Sequence, residues 1–305
     1  MHSLRLWWSH LNAPLAVFIV LATLFATTPL DVNIARTVFF DSAHSQWVGA
    51  ESWAINDLLH TGGRWAIRVL VAIALATWIA SYFHAGMRAL RRPAAFLTIA
   101  AVLSVGVVGL LKTVTNVDCP WDLVPFGGRF PFVELFADRP DALRAGHCFP
   151  AAHASSGYAL LALYFVFRER RPALARLGLA LGLLAGLTFG IAQQARGAHF
   201  VSHDVWSAFI VWTITLSVYA FGFRARLWEA APDDASPQES TWEEHESASA
   251  HSNLAAADVR LAGDPGLGAG AARAAHQRRA GRAALDGADL HLQHADRAGR
   301  AADRD

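Results

Sequence analysis

The residues able to do chemistry gather in three short stretches. The first opens with Lys112, at the end of an apolar run, and continues to Asp118, Cys119 and Pro120. The second is His147-Cys148-Phe149-Pro150-Ala151-Ala152-His153. The third runs from Gln193 and Gln194 through Arg196, Gly197 and His199 to His203 and Asp204. One lysine and one arginine suit the oxygens of a phosphoryl group. One imidazole can attack phosphorus while a second protonates the departing oxygen. A neighbouring carboxylate would hold the nucleophilic ring in one tautomer. Backbone N–H groups at the start of a helix add donors for phosphate. This set suits phosphoryl transfer without a metal.

Such groups converge only if long elements bring them to one level, and the composition says which elements those are. Hydrophobic residues make up 54% and charged residues 17% of the 305, against about 25% charge in soluble domains. Mean hydropathy is +0.28. The net charge of +1, with no dense Lys/Arg stripe, argues against nucleic-acid binding. Apolar runs near the ~20 residues needed to cross a bilayer begin at about Leu11, Trp65, Ala94, Ala151, Leu177 and Val205, and end near Leu30, Phe83, Leu111, Phe167, Ala192 and Phe223. The expected fold is all-α, an integral membrane bundle of six transmembrane helices over residues 1–228. No small-residue cleavage site follows the first run, which reads as a retained anchor.

Positive charge in short loops sets orientation. Arg88, Arg91 and Arg92 lie between runs two and three; Arg168, Arg170, Arg171 and Arg176 lie between four and five. These loops and both termini are expected in the cytoplasm, with the three polar stretches on the external, periplasmic side of the cell inner membrane. There Cys119 and Cys148 share an oxidising-side loop and can close a disulfide. Residues 47–60, with Trp47, Trp53 and Leu58-Leu59, read as a helix lying on the outer leaflet. Beyond residue 229 the chain changes character. Ala, Arg, Gly and Asp account for 39 of the 52 residues at 254–305, too little apolar surface to offset the entropy of ordering. Residues 229–305 are expected to be a disordered cytoplasmic tail, with the bias of a GC-rich frame read out of register.

Taken together, the three stretches resemble the blocks of the type 2 phosphatidic acid phosphatase (PAP2) superfamily of membrane lipid phosphatases. That family carries Lys-x6-Arg-Pro, Pro-Ser-Gly-His and Ser-Arg-x5-His-x3-Asp. Here Lys112 is followed after six residues by Cys119-Pro120; Pro150-Ala151-Ala152-His153 stands for the second block; Arg196, His199 and Asp204 stand for the third. Block order, six spans and outward placement agree over roughly residues 11–223. The departures fall in the site itself. Cys119 replaces an arginine, with Arg129 or Arg144 as candidates to stand in, and Ala151 and Ala152 replace Ser and Gly. If His199 is the nucleophile, Asp204 comes one residue late and Gln193 holds the arginine position. If His203 is, Ser207 stands where the aspartate belongs. His199 is preferred, because Asp204 then opens the sixth span.

The resemblance implies a hydrolase acting on a phospholipid, polyprenyl or lipid A phosphate or pyrophosphate monoester, through a phosphohistidine and with no cofactor or metal. His199 would attack, Asp204 steady its imidazolium, and His153 serve as acid and then base. Lys112, Arg196 and the backbone at Ala151 and Ala152 would hold the oxygens, with His203 as an ancillary imidazole. Other readings use the same residues. Phosphotransfer to a lipid acceptor needs no change of site, and a dead homologue would keep the site for binding alone. A metal hydrolase or hydroxylase would draw on His147, His153, His199 and His203, though Lys112 and Arg196 would repel its cation.

Overall fold

Lipid offers the backbone no hydrogen-bonding partner, so each apolar run closes its own N–H and C=O groups within a helix. In the computed structural model, the described residues are 2–224, apart from 136, 138, 139, 141 and 142, together with 227 and 228. All of them fall in one compact unit, Met1–Ala231. The expected tail, residues 229–305, lies outside them. The helices are α1 (His2–Thr27), the short α2 (Leu30–Ile34), α3 (Gly63–Phe83), α4 (Arg91–Val114), α5 (Ala152–Tyr158), α6 (Ala162–Phe167), α7 (Pro172–Ala195) and α8 (Val201–Ser217). A small antiparallel pair, β1 (Phe40–Asp41) and β2 (Gln46–Trp47), sits between α2 and α3.

This is an all-α membrane bundle, and its spans refine the six expected from sequence. Among the described residues, five helical stretches are long and apolar enough to cross a bilayer: Leu4–Thr27, Ala54–Phe83, Ala85–Val114, Pro172–Ala195 and Val201–Phe223. The fourth run, Ala152–Phe167, is shorter. At 1.5 Å per residue it reaches about 24 Å, less than the ~30 Å hydrocarbon layer. It is held by α7, whose Gly178, Gly182, Gly186 and Gly190 recur every fourth residue and are buried. A methyl group on Gly186 would meet the Tyr158 ring at 2.1 Å, and one on Gly182 would meet the Leu161 backbone at 2.6 Å. Without side chains on that face the two backbones pack directly, the small-residue contact by which helices associate in lipid. Leu110, Val20 and Leu184 stay more than 60% exposed on the bundle's outside, as lipid-facing side chains should.

Residues 47–60 do not form the separate surface helix expected from sequence. Residues Ala54–Gly62 take a π-helical turn that runs straight into α3, so the second span begins eleven residues before Trp65. Trp47 is buried, not laid on a leaflet. Its ring packs on Phe40 and Phe126 and covers Gly197, whose φ of +76° and close tryptophan both exclude a side chain.

The connections at one end of the bundle are laced together. Gly49 N–H donates to Ala195 O, Trp121 N–H to Gly197 O, and Cys148 N–H to Val117 O, each at 2.9 Å. Thr115 Oγ1 donates to Phe149 O at 2.5 Å, and a disulfide joins Cys119 to Cys148. These bonds bring the C-terminal ends of α4 and α7 to the N-terminal ends of α3, α5 and α8.

Candidate active site

At that laced end lies a cavity of about 830 Å³ between α3, α4, α5 and the turn after α7. Its polar wall carries Lys112, His153, Arg196 and His199, four residues drawn from all three sequence stretches, together with His60 and Arg64. Arg68 lines it one helical turn further along α3. No carboxylate lines it among the described residues. Its remaining walls are apolar, with Ile67 and Val71 of α3 facing Val102 and Val105 of α4. A cationic mouth with greasy flanks fits an anionic head on a hydrocarbon chain.

His199 follows the tight turn at Gly197 and is buried, only 6% exposed. Its Nδ1 lies 3.3 Å from Nδ1 of His203, one turn on in α8. That contact occupies Nδ1. Burial drives the His199 pKa well below 6.5, and His203 and Lys112 push it the same way, against a backbone contact from Cys148. The ring is neutral at neutral pH, the state a nucleophile needs.

His153, in the first turn of α5, lies face-on to Phe189 with ring centroids 4.7 Å apart. Its Nε2 is 3.2 Å from Leu59 O, a carbonyl made available by the π-turn before α3. The His60 ring sits 4.8 Å away. From His60 a chain of polar contacts crosses the cavity. Gln193 Nε2 meets His60 Nδ1 at 2.7 Å, Arg196 Nη1 donates to Gln193 Oε1 at 3.1 Å, and Arg64 Nη2 donates to His60 Nε2. Arg196 has its pKa lowered by burial first and by the Arg64 charge second.

Several expected placements differ. Asp204 does not bond to His199: its Oδ2 accepts from Gln194 Nε2 at 2.5 Å, and Oδ1 is buried without a partner. It fits there because Gly190 of α7 has no side chain; a methyl group would stand 2.4 Å from Oδ2. Asp204 and His203 lie on successive positions of α8, 100° apart, so one faces α7 and the other faces His199. Ala151 N–H is turned inward, 3.4 Å from His203 O, and its side chain is fully buried; only Ala152 reaches the cavity wall. The start of α8 is not open to the cavity either. Ser202 N–H donates to Asp31 Oδ1 at 3.1 Å, and Ser202 and His203 border a separate cavity of about 90 Å³.

Neither Arg129 nor Arg144 lines the cavity, and both are exposed. His147 turns back on α4, its Nδ1 3.0 Å from Lys112 O. Among the described residues no group of three or more His, Cys, Asp or Glu side chains converges as metal ligands would; of the four histidines considered for a metal, His199 and His203 pair with each other. Gln193 belongs to the third stretch, but His60 and Arg64 lie outside all three. The one sequence signal for those two is the spacing of His60, Arg64 and Arg68 at every fourth residue, which puts three basic groups on one face of a helix.

A family model described as the PAP2 superfamily matches residues 93–227. No curated protein and no solved structure matches the chain.

Proposed function

We propose that the cavity is the active centre of a phosphatase that hydrolyses a lipid phosphate or pyrophosphate monoester, a reading supported by the match of residues 93–227 to the PAP2 superfamily model. The observation that carries this is the carboxylate-free, cation-lined pocket holding a neutral buried imidazole, His199, beside a second, His153. Its apolar flanks on α3 and α4 give the hydrocarbon of a lipid somewhere to lie. The Arg-rich loops at 88–92 and 168–176 sit at the opposite ends of their helices, which by the positive-inside rule supports a reading with the pocket on the external face of the membrane and the chain ends in the cytoplasm.

In the proposed reaction, the His199 Nε2 lone pair attacks phosphorus while Nδ1–H stays directed at His203 Nδ1. The bond from phosphorus to the leaving oxygen breaks, and that oxygen takes the acid proton of the phosphate monoester, relayed through Nδ1 of His153, whose Nε2–H remains on Leu59 O. The products are the free alcohol, or shortened phosphate ester, and a phosphohistidine. A water oxygen then attacks phosphorus and gives its proton to His153. The P–N bond breaks, its electron pair returns to Nε2, and inorganic phosphate leaves. Lys112 and Arg196 hold the non-bridging oxygens, stabilising the charge spread over them in the transition state.

The test is phosphate release by the detergent-solubilised full chain from phosphatidate, phosphatidylglycerol phosphate, polyprenyl pyrophosphate and lipid A phosphate. Release is expected to survive EDTA, stop with orthovanadate and vanish in His199→Ala. Release that stops with EDTA and survives orthovanadate, or that persists in His199→Ala, overturns the reading. Release only when a lipid acceptor is added would instead mark a phosphotransferase.

A further inference from the structure

Arg64 has no place in the three sequence stretches, yet it lines the cavity with Arg196, and His60 and Gln193 link the two guanidinium groups side chain to side chain. Arg64 is exposed and Arg196 half-buried, so the pair stands at the cavity rim, open to an anion from outside. No carboxylate in the wall joins them among the described residues, and the sole hydrogen-bond partner shown for Arg64 is the neutral ring of His60.

Along this chain the donors outnumber the acceptors. A neutral imidazole offers one acceptor nitrogen and one N–H. His60 nevertheless faces Arg64 Nη2 at Nε2 and Gln193 Nε2 at Nδ1. Turning the Gln193 amide over would satisfy His60 but point an NH₂ group at Arg196 Nη1, which now donates to Gln193 Oε1. Either way the Arg64–His60–Gln193–Arg196 chain has one more donor than acceptor. A bound phosphoryl oxygen supplies the missing acceptor between the two guanidinium groups.

We propose that Arg64, reaching in from α3, is a phosphate-binding residue of this site, paired with Arg196 to clamp the oxygens of a phosphate monoester, and that His60 and Gln193 position the pair. This rests on the proposed phosphatase reading for its role in turnover, though not for anion binding itself. It also explains how the pocket manages with Cys119 committed to a disulfide and Arg129 and Arg144 outside the wall: the further cation comes from a different helix. A guanidinium fork suits the role, presenting parallel N–H groups to tetrahedral phosphate oxygens.

Two measurements on the full-length protein in detergent test it. The first is binding of inorganic phosphate by titration calorimetry, which needs no turnover. Arg64→Gln should weaken binding by about 10–100-fold, the effect of a lost charge-assisted pair, and Arg64→Lys should recover part of it. The second is steady-state phosphate release from whichever lipid phosphate the parent cleaves, where Arg64→Gln should raise KM by a similar factor. Unchanged phosphate affinity in both Arg64→Gln and Arg64→Lys overturns the proposal, and the lysine variant decides if the glutamine variant fails to fold. If the parent binds phosphate through Arg64 but cleaves none of the lipids, the phosphatase reading falls and the anion site stands. Should turnover need His199 while Arg64→Gln leaves KM and phosphate affinity untouched, the reverse holds.

Discussion

His199 Nδ1 and His203 Nδ1 face each other at 3.3 Å inside the bundle, so the ring beside the proposed nucleophile is another imidazole and not a carboxylate. A neutral imidazole can accept the Nδ1–H bond and fix the tautomer, but it adds no negative charge to stabilise a phosphohistidine. His203→Ala should therefore lower kcat by about 10–100-fold, the range for losing one orienting hydrogen bond in a buried site. KM should stay within about threefold, because binding belongs to the cations. Steady-state phosphate release separates the two parameters. A rise in KM with kcat unchanged would refute this role.

The burial of His199 sets a pH signature. Its pKa is depressed below 6.5, so the reactive neutral form persists as pH drops through that value. A histidine titrating at about 6.5 would keep only about a quarter of its neutral form at pH 6. kcat/KM should not fall between pH 7 and pH 6. Stability runs the other way: below pH 6.5 the unfolded chain binds a proton that the folded His199 refuses, so the folded state loses ground as pH falls. An acid limb centred at 6.5 in kcat/KM would show that His199 is not held neutral by burial.

The laced end of the bundle depends on Cys119–Cys148, which closes a loop across 29 positions and anchors the backbone beside His199. Chain-entropy reasoning assigns a loop of this length about 3–4 kcal/mol. Cys148→Ala, or reduction of the parent, should lower the thermal midpoint measurably and lower kcat as the 147–150 segment loosens. Calorimetry with and without reductant, paired with phosphate release, checks both. A reduced protein with the parent midpoint would deprive the bridge of this role.

What could be read from the chain, and what could not, divides along physical lines. Helices declare themselves in sequence because lipid allows little else, and Lys112, His153, Arg196 and His199 do meet in one cavity. Asp204 and the α8 N-terminus do not appear there. Their directions depend on Gly190 opening a niche on α7 and on Asp31, 171 residues away, capping Ser202. Neither partner is visible from local spacing. Arg64 is not evident from the chain because residues 47–60 read as a segment on the outer leaflet and the second span as starting at about Trp65, whereas the π-helical union of Ala54–Gly62 with α3 carries Arg64 and His60 to the cavity.

The four-residue glycine spacing on α7 makes a sharp stability prediction. At Gly186 a methyl group would stand 2.1 Å from Tyr158, and at Gly190 2.4 Å from Asp204. Neither Tyr158 nor Asp204 can yield easily in a packed bundle, so Gly186→Ala and Gly190→Ala should each cost about 1–3 kcal/mol, the usual penalty of overpacking. Gly106→Ala, with open space around it, should be neutral or slightly stabilising through helix propensity. Thermal unfolding of the three variants in one detergent ranks them. Equal midpoints would mean that α5–α7 packing is looser than the structure shows.

Lys112 carries the most pointed test, because it is the only lysine among 26 basic residues. Arginine fills every other cationic position, yet here the last turn of α4 presents a lone ammonium to the cavity, close enough to act on His199 electrostatically. A compact ammonium can follow an oxygen whose position shifts as phosphorus inverts, whereas a planar guanidinium needs room for its fork. Arg64 and Arg196 already occupy one side of the pocket, leaving little such room. Lys112→Ala should lower kcat/KM by about 10²–10³-fold, as removal of one oxyanion partner does. Lys112→Arg should recover only part of that, remaining about tenfold below the parent, with unchanged thermal midpoint. Near-full activity in Lys112→Arg would mean that only the charge matters there, and would make the single lysine an accident of composition.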